Sequence, residues 1–243
     1  MLPRPFRLLL AVLAVVTLAP ALAAQPAGPP PGPAPFTDVR EIPDTPAYRR
    51  AREVLDLVNA GDAARIRTYA TASFAPEFLA RAPLAEHVSV ALDVHARSER
   101  LVAHSARRYT PPRPETQAVL VVWNELMESW DAIVVEVEPA PPHRIVSLAF
   151  NPARTPSDLP PAAALADAEV ARRVGAAVDR LAAKGLFSGT VLLAKDGRVL
   201  LTKAVGVANR DFDAPVALDT KFNLGSMNKM FTGVAVMQLV EQG

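Results

Sequence analysis

The sequence contains no cysteine. That excludes disulfides, thiolate metal ligands, a cysteine nucleophile and a lipid anchor carried on cysteine. Lysine is scarce: of 26 basic residues five are lysine, at Lys184, Lys195, Lys203, Lys221 and Lys229. An excess of one charge is missing too, since 26 basic residues face 25 acidic ones for a net charge of +1. A general nucleic-acid binder would be clearly basic, so this balance argues against nucleic acid as a partner. No phosphate-binding glycine loop occurs. After the first 24 residues no apolar run is long enough to cross a membrane. What the chain does have is length and apolar content: 243 residues, half of them hydrophobic, enough for a sizeable core and for one to two domains at roughly 150 residues each.

Residues 1–24 have the grammar of an export signal. Arg4 and Arg7 form a positive start, 8–19 is an apolar run, Pro20 ends it, and Ala21-Leu22-Ala23 offers small residues to a signal peptidase. An apolar run of 12 residues would span about 18 Å as a helix, short of the ~30 Å hydrocarbon core, so cleavage is expected rather than anchoring. Without Arg4 and Arg7 the chain holds 24 basic and 25 acidic residues. The expected location is the periplasm or exterior of a bacterial cell, with no membrane span after cleavage.

Punctuation then divides the chain. Residues 25–35 hold six prolines and two glycines, so 25–44 is expected to be a proline-rich linker. A helix is expected over 46–60, with Tyr48, Ala51, Leu55 and Val58 on one face and Gly61 at its stop. Asp62 is placed to cap a second, and Leu84, Val88, Ala91 and Leu92 mark a third. Four strand-like runs follow, at 98–109, 117–123, 129–138 and 143–150, with Pro111-Pro112 after the first and Pro139 to Pro142 after the third. Helices followed by consecutive antiparallel strands predict an α+β domain over 45–150, the helices on one face of a curved sheet. The four prolines of 151–161 mark a second linker. Beyond it come an amphipathic helix over 162–184, a hairpin turning at Asp196-Gly197, a mostly irregular stretch over 207–225, and a last helix from Ser226.

The run Val54-Leu55-Asp56-Leu57-Val58-Asn59-Ala60-Gly61-Asp62, with Tyr69 and Phe74-Ala75-Pro76-Glu77-Phe78, resembles the opening helices of NTF2-like (SnoaL-like) domains. The resemblance implies a cone-shaped cavity, with Trp123 and Trp130 either lining it or serving as core and edge residues. The four histidines, His87, His95, His104 and His143, are scattered with no carboxylate set beside them, so surface or capping roles are expected and no metal site.

Ser226-Met227-Asn228-Lys229 is an S-x-x-K tetrad. At a helix start, residues i and i+3 share a face, so hydroxyl and amine can meet. The helix amino terminus adds positive potential and free N–H groups around the serine oxygen. A lysine held partly dehydrated there can take the hydroxyl proton and turn a weak alcohol into a nucleophile. The tetrad by itself is weak: with 9 serines and 5 lysines in 243 residues, chance supplies about 0.2 such pairs. A capping serine beside a surface lysine explains an isolated hit.

Its surroundings carry more. Phe187-Ser188-Gly189-Thr190-Val191, Gly206-Val207-Ala208-Asn209-Arg210 and Asp219-Thr220-Lys221-Phe222-Asn223-Leu224-Gly225 precede Ser226 in that order. Lys229-Met230-Phe231-Thr232 and Gln238-Leu239-Val240-Glu241-Gln242-Gly243 follow. The series resembles the amino-terminal part of the serine β-lactamase-related family: class C β-lactamases, DD-peptidases and related esterases. It implies Ser226 as the acylated nucleophile and Lys229 as its proton acceptor. It also implies half of an oxyanion hole at the Ser226 N–H, and no cofactor. Asn228 stands where many members carry Ser or Thr. Substrates would be a small-molecule ester, an amide or a cell-wall peptide.

The family's Tyr-x-Asn (or Ser-x-Asn) and Lys/His-x-Gly elements are not found in the 17 residues after Ser226. The expectation is therefore a truncated hydrolase over 162–243, inactive alone, with one sheet edge open and an apolar last helix exposed. A non-catalytic periplasmic ligand-binding module and a non-functional remnant are the alternatives.

Overall fold

The computed structural model describes residues 34–161 and 163–243. The expected signal and most of the first linker lie outside the described residues. The chain opens with strand β1 (Phe36–Val39), then helices α1 (Pro46–Ala60), α2 (Ala63–Ser73), α3 (Pro76–Leu79) and α4 (Leu84–Ser98). Strands β2 (Leu101–Tyr109), β3 (Gln117–Asn124), β4 (Ser129–Val137) and β5 (Ile145–Pro152) follow. All five strands form one antiparallel sheet in the order β1-β2-β3-β4-β5. The fold is α+β, as the order of elements predicts.

Local chemistry sets the helix bounds. Thr45 caps α1 by accepting from the Tyr48 N–H at 3.4 Å, and Pro46 sits in the first turn, where no N–H is needed. Gly61 ends α1 at φ +60°, its N–H bonding the Leu57 and Val58 carbonyls. Asp62 at once caps α2 through the Ala64 and Arg65 N–H groups, at 2.8 and 3.1 Å. The buried stripe of α1 (Ala47, Tyr48, Ala51, Val54, Leu55 and Val58) lies on the sheet. It meets Leu120, Val122, Ile133, Val135 and Ile145 in one core cluster.

The opposite face of the sheet is covered as well, and this corrects both linker expectations. Residues 36–39, expected within the first linker, are an edge strand: Asp38 pairs with Arg107 across the ladder. A four-residue strand beside a proline-rich run needs one neighbour, and β2 supplies it. Residues 153–159, expected to be a spacer, form a strap pinned to that face. The Asp38 N–H donates to Ser157 Oγ at 2.7 Å, and the Ser157 N–H donates back to Asp38 Oδ2 at 2.8 Å. Arg107 Nη2 donates to the Arg154 carbonyl at 2.8 Å. Asp158 pairs with Arg40 and, at 3.0 Å, with His104. Proline prevents a helix or ladder in the strap but does not prevent burial, and Pro156 is fully buried.

The two tryptophans belong to the strap side. Trp123 and Trp130 are cross-strand partners with ring centroids 4.9 Å apart, and His104 stacks edge-on against Trp130 at 4.6 Å. The cavity of about 490 Å³ in this region lies on the helical side, between α1, α2, α4 and β5, and neither tryptophan lines it.

Helix α5 (Asp167–Ala183) follows, then β6 (Gly189–Lys195) and β7 (Arg198–Val205), a two-stranded antiparallel sheet. Asp196 and Gly197 both have positive φ, +51° and +75°, the backbone that a tight two-residue hairpin requires. Asp167 fastens the start of α5 to the hairpin tip, accepting from Lys195 Nζ at 2.8 Å and Arg198 Nη2 at 2.7 Å. Arg180 of α5 donates to the Leu126 carbonyl at 2.9 Å, in the β3–β4 turn. Strands β8 (Val207–Asn209) and β9 (Ala214–Pro215) add a short ribbon to the stretch expected to be irregular. A 3₁₀ turn (Gly225–Met227) leads into α6 (Asn228–Gln242). Every residue from Lys221 to Gly243 is exposed, including Met230, Phe231, Val234, Met237 and Leu239.

Candidate active site

Ser226 is carried by a series of locally fixed turns. Strand β7 ends at Gly206, whose φ of +80° favours glycine, and a Cβ there would stand 2.2 Å from Ser188 Oγ. That hydroxyl accepts from the Val207 N–H at 2.6 Å and donates to the Val207 carbonyl at 2.9 Å. Ser188 and Gly206, read in the sequence as parts of a motif, thus tie the base of the hairpin to the segment leading to Ser226. Thr220 closes the next turn by accepting from the Ala217 N–H at 2.8 Å.

Asn223 is the residue that sequence reasoning quoted without giving it work. Its Oδ1 accepts from the Gly225 N–H at 3.0 Å and from Asn228 Nδ2 at 3.5 Å. It therefore ties together the two sides of the 3₁₀ turn that holds Ser226. The available signal was the Asn-Leu-Gly spacing, in which an Asn side chain caps an N–H two residues on. Gly225 enters the turn at φ +57°.

Ser226 and Lys229 then meet as the i, i+3 spacing requires: Lys229 Nζ stands 3.5 Å from Ser226 Oγ, the outer limit of a hydrogen bond. Ser226 lies in the 3₁₀ turn directly ahead of α6, beside its unpaired amino-terminal N–H groups. The expected dehydration is not present among the described residues, because both side chains are exposed. No described element packs over this turn closely enough to exclude water.

The histidines stand apart from this pair. His95 Nδ1 is 2.8 Å from the Val58 carbonyl, His104 pairs with Asp158, and His143 Nδ1 is 3.0 Å from the Glu138 carbonyl. His87 lines the helical cavity instead of serving as a surface or capping residue.

The model of the β-lactamase family matches residues 166–243, from the start of α5 to the end of α6. Residues 166–243 are thus similar to the β-lactamase family. Esterase EstB of Burkholderia gladioli is 34% identical over 85 residues, which make up 35% of this chain and 22% of that esterase. The chain thus spans about a fifth of the length of that curated relative. No solved structure gives a significant match. The matched region contains the whole helix–hairpin–helix assembly and both members of the Ser226–Lys229 pair.

Proposed function

We propose that Ser226 is the acyl-accepting nucleophile of an exported serine hydrolase and that Lys229 is its base. The observation that carries this reading is the 3.5 Å approach of Lys229 Nζ to Ser226 Oγ at the head of α6, inside the region that matches the family. The Lys229 amine takes the hydroxyl proton as Ser226 Oγ bonds to the substrate carbonyl carbon. The resulting ammonium returns the proton to the leaving oxygen as the ester bond breaks, and water then releases the acyl group from Ser226. The Ser226 N–H serves as one donor to the developing oxyanion. Small-molecule esters are the favoured substrates, in keeping with the name of the esterase relative, ahead of amides and cell-wall peptides. Export rests on the charge and apolar pattern of residues 1–24. For residues 45–150 we favour an NTF2-like domain, supported by the four opening helices and by α1 lying across an antiparallel sheet.

Covalent labelling tests the proposal, because it reads the nucleophile and its base directly. An alkyl fluorophosphonate should add one adduct on Ser226, found by peptide mass spectrometry. Ser226→Ala should abolish it, and Lys229→Ala should slow it by about 10²-fold or more. Undiminished labelling of Ser226→Ala would refute the assignment.

A further inference from the structure

Among the described residues, five that are not glycine have positive φ, and two of them are glutamates: Glu99 at +56° and Glu128 at +50°. A long side chain is out of place there, since glycine, asparagine or aspartate takes such backbone at less cost. Glu99 is the more strained. Its ψ is −53°, and the Arg100 N–H reaches back to the Ser98 carbonyl at 2.5 Å, a γ-turn of the rare, strained hand. Glu128 closes the turn between β3 and β4. The two turns form one surface, because the Glu125 and Leu126 N–H groups donate to the Arg100 and Ser98 carbonyls, each at 3.1 Å. Strained backbone persists only where its surroundings hold it, so each glutamate needs a reason. The reason they share is α5. Lys184 Nζ stands 3.2 Å from Glu99 Oε1, and Arg180 Nη1 stands 3.2 Å from Glu128 Oε1. Arg180 Nε also donates to the Leu126 carbonyl at 2.9 Å, and Leu126 is fully buried. Residues 180 and 184 are one helical turn apart, so both cations lie on one face, at the end of α5 where the helix dipole favours positive charge.

We propose that this pair of turns is a docking surface for the carboxyl-terminal end of α5, and that Glu99 and Glu128 occupy strained backbone because each presents a carboxylate to a cation of that helix. Glycine or asparagine would ease the backbone and lose the pair. The other end of α5 is tied to the β6–β7 hairpin through Asp167. Helix α5 is therefore the strut that fixes the hairpin against the five-stranded sheet. Exposed ion pairs are individually weak and screened by salt, so the contact is reversible and responds to ionic strength. It involves neither Ser226 nor Lys229 and does not depend on acyl transfer.

The test uses the full chain, which has no cysteine of its own. Ala72→Cys on α2 and Ala176→Cys on α5, both exposed positions, carry a nitroxide pair whose distance distribution reads the docking. With both glutamates present the distribution should be one narrow peak. Glu99→Gln combined with Glu128→Gln keeps the strained backbone and removes both charges. The fraction of molecules outside the peak should then rise about three- to tenfold, the range that two exposed ion pairs set. Glu99→Gly combined with Glu128→Gly should raise it as much, although glycine relieves the backbone; a merely local role for the two turns predicts no loosening. Salt at about 1 M, where the screening length is roughly 3 Å, should broaden the peak in the same way. Glu99→Lys should broaden it too, and adding Lys184→Glu should restore it. Tryptophan fluorescence checks that the sheet is folded in each variant, because both tryptophans lie in β3 and β4. An unchanged peak in the Gln and Gly pairs, or a charge swap that fails to restore it, would overturn the proposal. Should the substitutions at 99 and 128 unfold the sheet, the salt series on the unsubstituted turns decides by itself, and a peak that high salt leaves unchanged would overturn it.

Discussion

Replacing Asp38 by alanine should destabilise the chain far more than its place beside a proline-rich segment suggests. The Asp38 side chain is fully buried and that of Arg107 is 4% exposed. They form a bidentate pair, Nε to Oδ1 at 2.9 Å and Nη2 to Oδ2 at 3.1 Å. The Asp38 carboxylate also accepts from the Ser157 N–H, so one residue joins β1, β2 and the strap. Asp38→Ala leaves the guanidinium buried with the Arg154 carbonyl and the Phe36 ring, 3.8 Å from its centre, as remaining partners. Removing one member of a buried ion pair costs about 3–5 kcal/mol. At roughly 2–4 °C per kcal/mol for a unit of this size, the Tm should fall by about 6–20 °C. Thermal and urea melts followed by far-UV circular dichroism measure it. Asp38→Leu combined with Arg107→Met leaves no charge unpaired and should recover part of the loss, the remainder reflecting the bonds that the Ser157 N–H and the Arg154 carbonyl no longer make. A cost below about 0.5 kcal/mol for Asp38→Ala would refute the reasoning, as would a double variant less stable than the single one. Residues 36–39 and 153–159 would then be appendages, not parts of the core.

Gly61→Ala should cost about 2 kcal/mol, because alanine must take φ +60° and its Cβ would lie 2.5 Å from His95 Nε2. His95→Ala in the same chain should recover part of the loss, and a double-mutant cycle of urea midpoints measures the coupling. Acidification should loosen the strap at Asp158. The hydrogen bond from His104, then that from Arg40, holds the Asp158 carboxyl below its ordinary 3.8. A carboxyl lowered in this way contributes its full stabilisation above the ordinary value and loses it as pH falls through the lowered one. His104 stacks on Trp130, so tryptophan fluorescence should register an acid step that Asp158→Asn removes.

What could be read in the sequence follows from the range of the interactions. The end of α1 and the start of α2 were legible because Gly61 and Asp62 act on N–H and carbonyl groups within four residues. The β6–β7 hairpin was legible because Asp196-Gly197 fixes its own backbone. Ser226 and Lys229 were legible as a pair for the same reason, since three residues of helical backbone bring them together. The water content of their surroundings was not, because it depends on what packs over the turn and not on the turn itself. The strap was hidden by composition: its proline-rich segment reads as a spacer until Asp38, 119 residues away, is seen to bond Ser157.

The tryptophans show a different limit. Alternation along a strand assigns side chains to faces only where one face is polar. In β3, Val119 and Val121 are as buried as Leu120 and Val122, so the strand is apolar on both sides. Parity then places Trp123 and Trp130 together but cannot say which face meets the helices. That choice is made by the strap and by α1, which cover opposite sides of the sheet. The same two-sided burial explains why the place of the cavity could not be foreseen: it depends on which helices cover the inner face and how far they stand from β5. A loop of tethered prolines on one side and a gap among helices on the other are products of tertiary packing, and they are where this chain departs from its local pattern.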